Sequence, residues 1–250
     1  MYTDTEGLVL KHIKLAGGRK ILVLFSLKYG KISAGTNINE KGRSKATLAL
    51  RPFTYSKFEI YKSRDNYNVN SADVIKSFYK IGEDVDKYMH ASYILEFTDK
   101  ITAENERAPQ LFDLLIEYLS VLEKRTKKYS TLDLAFQMKA LSYIGCMPEL
   151  KHCVSCGCEA EWVSFCIEEG GVICQNCVKK LKSNMKELLI YDVDFGIIRV
   201  INYILCNPLK SFENLALTDD TQKQLKLIIR DYIGYHLDIR ELKSESFLMD

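Results

Sequence analysis

The sequence predicts an α+β chain in which a small N-terminal β-barrel precedes an α-helical domain that carries a cysteine-rich insertion. Three observations lead there. Apolar and polar residues alternate over roughly the first 75 positions, as half-buried strands do. From about residue 72 the apolar positions recur at helical spacing. Six of the eight cysteines fall between Cys153 and Cys177. The expected division is 1–80 for the barrel and 81–250 for the helical domain, with the cysteine insertion at about 150–180.

In the N-terminal part, Gly7–Ile13 is a short run ended near Gly17-Gly18, where a tight turn costs little. Ile21–Leu27 follows, punctuated by Tyr29-Gly30, and Lys31–Gly35 leads into the polar stretch Asn37–Ser44. Thr47–Phe53 and Lys57–Tyr61 are read as further strands, and Arg64–Asn68 as a hairpin loop. About five short strands in this space suit a five-stranded Greek-key barrel, a common scaffold for binding single strands. Further on, Val85, Tyr88, Ala91, Ile94, Leu95, Thr98 and Ile101 keep one helical face, and Leu111, Leu114, Leu115, Tyr118 and Leu122 keep another. Ser130 is placed to cap a helix over Leu134–Ile144, which stops at Gly145 with Pro148 close behind. The segments 194–205 and 218–237 complete the helices, the last with the stripe Leu225, Ile228, Ile229, Tyr232, Ile233 and His236. These stripes are expected to be core.

With 250 residues, 47% of them apolar and 27% charged, the chain can bury a real core. Met1–Glu6 carries acids where a signal peptide needs a basic region. No apolar run approaches the ~20 residues that span a bilayer. The expectation is a soluble, cytoplasmic protein with no membrane partner. The net charge of +2 conceals an asymmetry: residues 1–80 hold 15 Lys and Arg against 6 Asp and Glu, a balance of +9, and the rest carries −7. A basic half points to an anionic partner, nucleic acid or membrane surface, with a lysine-rich solvated surface as the plain alternative.

Cysteines in a cytosolic chain stay reduced, so their spacing matters more than their number. Cys153-Val154-Ser155-Cys156 and Cys174-Gln175-Asn176-Cys177 are two Cys-x-x-Cys pairs separated by residues 157–173. Each pair can turn both sulfurs toward one point, and four thiolates complete the tetrahedron that zinc accepts. Gly157 gives the first knuckle backbone freedom, Gly170-Gly171 suits a hairpin turn, and Trp162–Phe165 suits a ribbon strand. A redox pair would need only one such motif, beside a helix start. Cys158, Cys166 and His152 can each replace a ligand, but none has a partner at knuckle spacing. Four thiolates leave no open position, so the expected Zn2+ is single and structural, held by Cys153, Cys156, Cys174 and Cys177. Cys146 and Cys206 stand apart and are expected to be small buried residues.

The chain contains no G-x-x-x-x-G-K-[ST] loop, H-E-x-x-H, G-x-S-x-G or deaminase-type H-x-E motif. Its histidines, His12, His90, His152 and His236, are scattered. No enzyme activity is expected.

The cysteine module and its flanks, Gly145–Leu150 running into Cys153–Gly157 and Gly170–Cys177, resemble those of the RecO family of bacterial recombination mediators in DNA repair. The N-terminal order is similar too: a strand and Tyr29-Gly30-Lys31, then Lys41–Lys45, then Leu48–Phe53. So are the closing segments, Arg230–Leu237 and Leu242–Ser244. The resemblance implies an OB-type barrel followed by a helical domain bearing a zinc finger. It also implies binding of single- and double-stranded DNA, annealing of complementary strands, and help in loading recombinase onto coated single strands. The implied partners are RecR and single-strand-binding protein, through its acidic, apolar-ended C-terminal tail, in a cytoplasmic, nucleoid-associated setting.

From resemblance and charge together, Arg19, Lys20, Lys41, Arg43, Lys45 and Arg51 are the expected phosphate contacts. Tyr29, Phe53, Tyr55 and Tyr67 are candidate stacking rings, with core packing the stronger alternative for Phe53. Lys179, Lys180 and Lys182, or Lys124, Arg125, Lys127 and Lys128, are candidate contacts for the acidic tail. Residue physics leaves an RNA-binding barrel protein with a structural zinc ribbon open beside the DNA mediator.

Overall fold

Strand β1 (Tyr2–Lys14) serves two neighbours at once. Its N-terminal half pairs antiparallel with β4 (Thr54–Lys62), Tyr2 opposite Tyr61 and Leu8 opposite Tyr55. Its C-terminal half pairs with β2 (Lys20–Ser26), Gly7 opposite Ser26 and Lys14 opposite Lys20. Gly7 and Leu8 pair on both sides, and a register shift between Val9 and Lys11 follows within the β2 ladder, just past the last β4 pair. β3 (Gly30–Thr36) is antiparallel to β2, and β5 (Tyr67–Ser77) is antiparallel to β4 and parallel to β3. The strands close in the order β1-β2-β3-β5-β4, an OB-type barrel. The computed structural model describes residues 1–15, 20–38, 44–64, 66–159, 162–183, 188–193, 195–212 and 217–248.

Alternation fills the barrel: Thr54, Ser56, Phe58 and Ile60 of β4 are buried and Lys57 is exposed. Val9, Leu22, Leu24, Ile32, Ala34, Val69 and Ala72 meet them from the other strands. Thr47–Phe53, expected as a strand, is instead the short helix α1 (Lys45–Ala49) and a turn. The Ser44 hydroxyl caps it by accepting from the Thr47 amide at 3.1 Å, and Pro52 has no amide to offer a ladder. Phe53 takes φ +58°, which turns the chain into β4. Ala49 and Leu50 join the barrel core. Ser56 Oγ donates to the Ala49 carbonyl at 3.0 Å, and the His12 ring lies 3.0 Å from the Leu50 carbonyl.

The chain forms two compact units, residues 1–129 with 242–250, and residues 130–241. The change from strand to helix near residue 80 lies inside the first. There α2 (Val85–Ile101) and α3 (Pro109–Lys124) join the barrel. Asp99 of α2 binds Lys11 of β1, and Lys31 of β3 donates to the Asp99 carbonyl at 2.6 Å with its carboxylate 3.6 Å away. Gly30, at φ +68°, packs so closely that a Cβ would lie 1.8 Å from the Glu106 carbonyl oxygen. Phe112 of α3 sets its ring against Phe25 at 5.5 Å and Tyr55 at 5.9 Å. Ala91, Ile94, Leu95 and Thr98 are buried as expected, but Val85 and Tyr88 are exposed because they occupy the first turn of α2, beyond the core. The terminal turn Lys243–Leu248 is held by Glu96, whose carboxylate accepts from the Ser244 amide at 2.8 Å, the Ser244 hydroxyl at 2.5 Å and the Lys243 amide at 3.0 Å.

In the second unit α4 (Tyr129–Tyr143) is buried along Thr131–Leu141. Ser130 lies in its first turn rather than at a cap, because Lys128 at φ +58° makes the turn into the helix earlier. Its buried Lys139 ammonium donates to the Leu205 carbonyl at 3.2 Å. α6 (Phe195–Cys206) and α7 (Asp219–Leu237) follow, the latter capped by Thr218, and Leu225, Ile228, Ile229, Tyr232 and Ile233 are its buried stripe. His236 is exposed, with its ring 2.7 Å from the Ile167 carbonyl. A small sheet of order β7-β6-β8 is built from β6 (Trp162–Cys166), β7 (Gly171–Cys174) and β8 (Ile190–Asp192), and α5 (Gln175–Ser183) follows β7. Cys146 is half-buried and Cys206 exposed, not buried as expected, since both stand where a helix ends. Among the described residues no helix is long and apolar enough to cross a membrane.

Phe58 is fully buried at the centre of the barrel, so Phe58→Ala should cost about 3–5 kcal/mol in denaturant unfolding. Burial alone would raise the Glu96 carboxyl, but the Ser244 hydroxyl, the Ser244 and Lys243 amides and nearby Lys100 bring it below its usual value. Its contribution is therefore complete above the unfolded carboxyl pKa of ~4.3 and is lost as pH falls through the lower folded value. Protection of the Lys243 and Ser244 amides, measured against their intrinsic exchange rates, should fall over that acid window, and Glu96→Ala should show the same loss of protection at neutral pH.

Candidate nucleic-acid interface and metal centre

A cleft of about 540 Å³ opens beside the end of β1, the start of β2 and the β4–β5 turn, lined by Leu15, Lys20, Ser33, Gly35, Asn66 and Tyr67 among others. The β4–β5 turn is fixed by the Ser63 amide and hydroxyl, which donate to the Asn66 carbonyl at 3.0 and 3.1 Å. Barrels of this type bind oligonucleotides and oligosaccharides across strands 2 and 3 and the loops that join strands 1–2 and 4–5. Glu104 also lines the cleft and accepts from Ser33 Oγ at 3.3 Å.

Tyr67 meets Tyr29 at 5.7 Å between ring centroids, and both rings are half-buried against the barrel core. The Lys62 ammonium sits 5.3 Å from the Tyr67 centroid and 5.5 Å from that of Tyr29. Lys28 lies 5.5 Å from the Tyr29 ring and donates to Thr3 Oγ1 at 2.6 Å, which also accepts from the Tyr29 hydroxyl at 3.1 Å. These separations are within the ~6 Å reach of a cation–π contact. Sequence reasoning passed over Lys28 and Lys62. Their signal was the interleaving of Lys28-Tyr29 and Tyr61-Lys62 with Tyr67.

Of the expected phosphate contacts, Arg19, Lys41 and Arg43 lie outside the described residues. Lys20 lines the cleft. Lys45 and Arg51 are exposed and line a different cavity of about 760 Å³, with Leu48, Phe53, Tyr79 and Tyr88. Of the expected stacking rings, Phe53 is 4% exposed and turns its edge to Tyr88 at 5.4 Å. Tyr55 donates to Glu6 and packs on Phe112. Burial, the Glu6 hydrogen bond and the charges of Glu6 and Asp113 push its phenol up to about 12. Neither ring is free to take a base, whereas Tyr29 and Tyr67 remain together with their lysines. Arg125 is buried and donates through Nε to the Lys127 carbonyl at 2.8 Å, so it serves the end of α3. Lys179 and Lys180 are exposed on α5, and the side chain of Lys182 is outside the described residues.

The cysteine module gathers in the second unit. Gly157 at φ +73° turns the first knuckle back on itself: its amide donates to the Cys153 carbonyl at 2.7 Å, and the Cys153 amide to the Cys158 carbonyl at 2.9 Å. β7 delivers Cys174, and the first turn of α5 carries Cys177. The β6–β7 hairpin is pressed against Glu149, whose carbonyl would lie 2.3 Å from a Cβ at Gly171. The sulfurs of Cys153, Cys156, Cys158 and Cys174 all lie within 4.8 Å of one another, and this group can hold a metal ion. Cys177, the expected fourth ligand, is not one of these four and Cys158 stands in its place; it is buried, with its thiol against those of Cys156, Cys174 and Cys153. The Ser155 hydroxyl lowers its thiol, but burial and the thiols of Cys156, Cys174 and Cys153 push it up to about 12. Burial would raise Cys153, yet the amides of Cys174, Cys156 and Ser155 outweigh it and bring that thiol down to about 6. Amide donors aimed at sulfur are what a thiolate ligand requires.

The donor set fits zinc. Thiolates ~2.3 Å from a tetrahedral centre stand ~3.8 Å apart, and Cys156 and Cys174 are separated by 3.9 Å. Cys158, which lies outside the two Cys-x-x-Cys motifs, is brought in by the Gly157 turn and lies 3.4 Å from Cys156. Cys166 is buried outside this group, near Glu168, and His152 faces Glu149 and Glu159.

Comparison with known proteins adds an independent finding. The family described as Recombination protein O N terminal matches residues 1–78, and Recombination protein O C terminal matches residues 82–246. The chain belongs to the RecO family. DNA repair protein RecO of Alkaliphilus metalliredigens is 31% identical over 240 residues, 95% of each chain. That of Thermoanaerobacter sp. is 29% identical over 244 residues, 98% of this chain and 96% of its own. That of Bacillus subtilis is 29% identical over 252 residues, 99% of this chain and 94% of its own. The join between the two RecO regions falls between the end of β5 and the start of α2, where the strand pattern gives way to the helical one.

Proposed function

We propose that this chain is a non-enzymatic, DNA-binding recombination mediator of DNA repair that works in the cytoplasm at the nucleoid. Membership of the RecO family over nearly the whole length is the observation that carries the reading. The basic balance of residues 1–80 and the cleft beside Tyr29, Tyr67, Lys28 and Lys62 support it. Lysines and arginines on the barrel neutralise phosphates and release counterions, and the rings stack bases without reading them. A strand held through its phosphates keeps its base edges free, which is what annealing of complementary strands needs. Duplex DNA is bound through the same phosphate contacts. RecR and the acidic C-terminal tail of single-strand-binding protein are the proposed protein partners, with recombinase served indirectly by clearing the coated strand.

One zinc ion would be held by Cys153, Cys156, Cys174 and Cys177. Cys177 completes the second knuckle from α5, and Cys158 stands beside Cys156 as a fifth thiol. Bound there, zinc supplies a cross-link between the two knuckles, and its binding energy is folding energy for the ribbon.

Binding to single strands of graded length across a salt titration tests the DNA reading. Log affinity should fall linearly with log salt, at roughly 0.7 per contact. Reversing Lys41, Arg43 and Lys45 to Glu should weaken all sequences alike and flatten the slope by about two units, and Lys28→Ala with Lys62→Ala by about 1.4. If both variants bind like wild type at low salt, the barrel is not the DNA site. Stronger competition by matched RNA would make RNA the ligand. For the metal, Cys174→Ser should purify without zinc and with a loosened second unit, while Cys206→Ser should keep one equivalent. Full occupancy of Cys174→Ser in metal analysis would refute the assignment.

A further inference from the structure

Four sulfurs, those of Cys153, Cys156, Cys158 and Cys174, lie within 4.8 Å of one another, and the Cys177 thiol meets those of Cys153, Cys156 and Cys174, so five thiols stand where a tetrahedral metal takes four. The surplus lies at one place. Cys156 and Cys158 are 3.4 Å apart, closer than the ~3.8 Å edge of a four-thiolate zinc tetrahedron. They are also the accessible members: Cys156 is exposed and Cys158 half-buried, whereas Cys153, Cys174 and Cys177 are buried. Gly157 between them adopts φ +73°, with nothing within 4 Å of where a Cβ would be, so the turn can tighten. A reagent from solvent therefore meets this pair first.

We propose that Cys156 and Cys158 are a modification site, a dithiol that a hydroperoxide converts to a disulfide with loss of the zinc. The inference rests on the zinc reading above. One sulfur attacks the peroxide O–O bond, takes one oxygen as a sulfenic acid and releases the other as water or alcohol. The second sulfur then displaces that oxygen, which leaves as water once protonated, and the S–S bond forms. Two electrons pass from the sulfur pair to the peroxide. Cys156 can no longer donate to the metal, and Cys153, Cys174 and Cys177 alone do not close the shell. A dithiol reductant returns the two electrons by exchange, and zinc can rebind.

Hydrogen peroxide added to the zinc-loaded full chain tests this, with a chromogenic chelator reporting zinc and peptide mass mapping reporting the linkage. One zinc should be released for each disulfide formed, and the peptide holding residues 156 and 158 should become lighter by two hydrogens. Cys158→Ser should keep its zinc and release it at least about fivefold more slowly, because the resolving thiol is gone. A disulfide mapped to Cys153–Cys156 or Cys174–Cys177 overturns the proposal. So does a Cys158→Ser protein that loses zinc as fast as wild type, or that never holds it. A wild-type chain that takes up no zinc sinks the zinc reading itself, whereas a loaded chain that links other cysteines sinks only this inference.

Discussion

The N-terminal unit depends on one strand reaching two partners. Five strands close only because β1 is long enough to pair with β4 along its first half and with β2 along its second, the register shift between Val9 and Lys11 falling just past the last β4 pair. Closure gives every strand two neighbours, although β3 and β5 meet over only three residue pairs. It also separates β3 from β4, which follow one another in the chain but are not neighbours in the barrel. The connection must therefore cross an end of the barrel, and α1 does so while plugging it with Ala49 and Leu50. The same topology sets β3 and β5 parallel over Ala34–Thr36 and Tyr67–Val69, which brings the β4–β5 turn beside the cleft.

The helices of that unit are tied to the barrel by charge as well as by Phe112. The side chains of Asp99 and Lys31 are only 10% and 12% exposed. An ion pair so poorly solvated gains little net stability, since the cost of desolvating both charges offsets the attraction. Its contribution is register. Lys31 spends one proton on the Asp99 carbonyl and faces the carboxylate with another, while Lys11 approaches the same carboxylate from β1. Two strands thus address a single residue of α2, and an arrangement that misplaced the helix would bury those charges unpaired.

The strands were legible wherever alternation ran unbroken, as in Lys57–Tyr61, and the helices wherever a stripe ran four turns, as in α3. Thr47–Phe53 misled because a short apolar run does not distinguish strand from helix. The capping serine at Ser44, three residues before Thr47, was the local signal that favoured a helix. Val85 and Tyr88 fit the helical period yet lie in the first turn, and periodicity alone does not say where a core ends. A gathering of cysteines was legible in the matched pairs, and three of the four sulfurs that come together, Cys153, Cys156 and Cys174, belong to them. Cys158 was not, because spacing rules compare like with like, whereas the left-handed turn at Gly157 carries an unmatched cysteine into the cluster. The Tyr29–Tyr67 pair was equally hidden, since only barrel closure brings the β2–β3 turn to the start of β5.

That pair also constrains how a strand would lie in the proposed mediator. Glu104 places a carboxylate at the cleft, held by Ser33, and a phosphate beside it would be repelled. Lys28 and Lys62 place ammonium groups over the two rings instead, with no carboxylate paired to either among the described residues. Phosphates would therefore run on the lysine side, and the bases would turn toward the Tyr67 ring and the polar edges of Asn66 and Asn68. Because the rings are already half-buried against the core, binding would not have to freeze them, and little conformational entropy would oppose the stacking. Contacts of this kind tolerate any sequence: the charges see phosphate, the rings see a flat face, and neither is matched to a particular base.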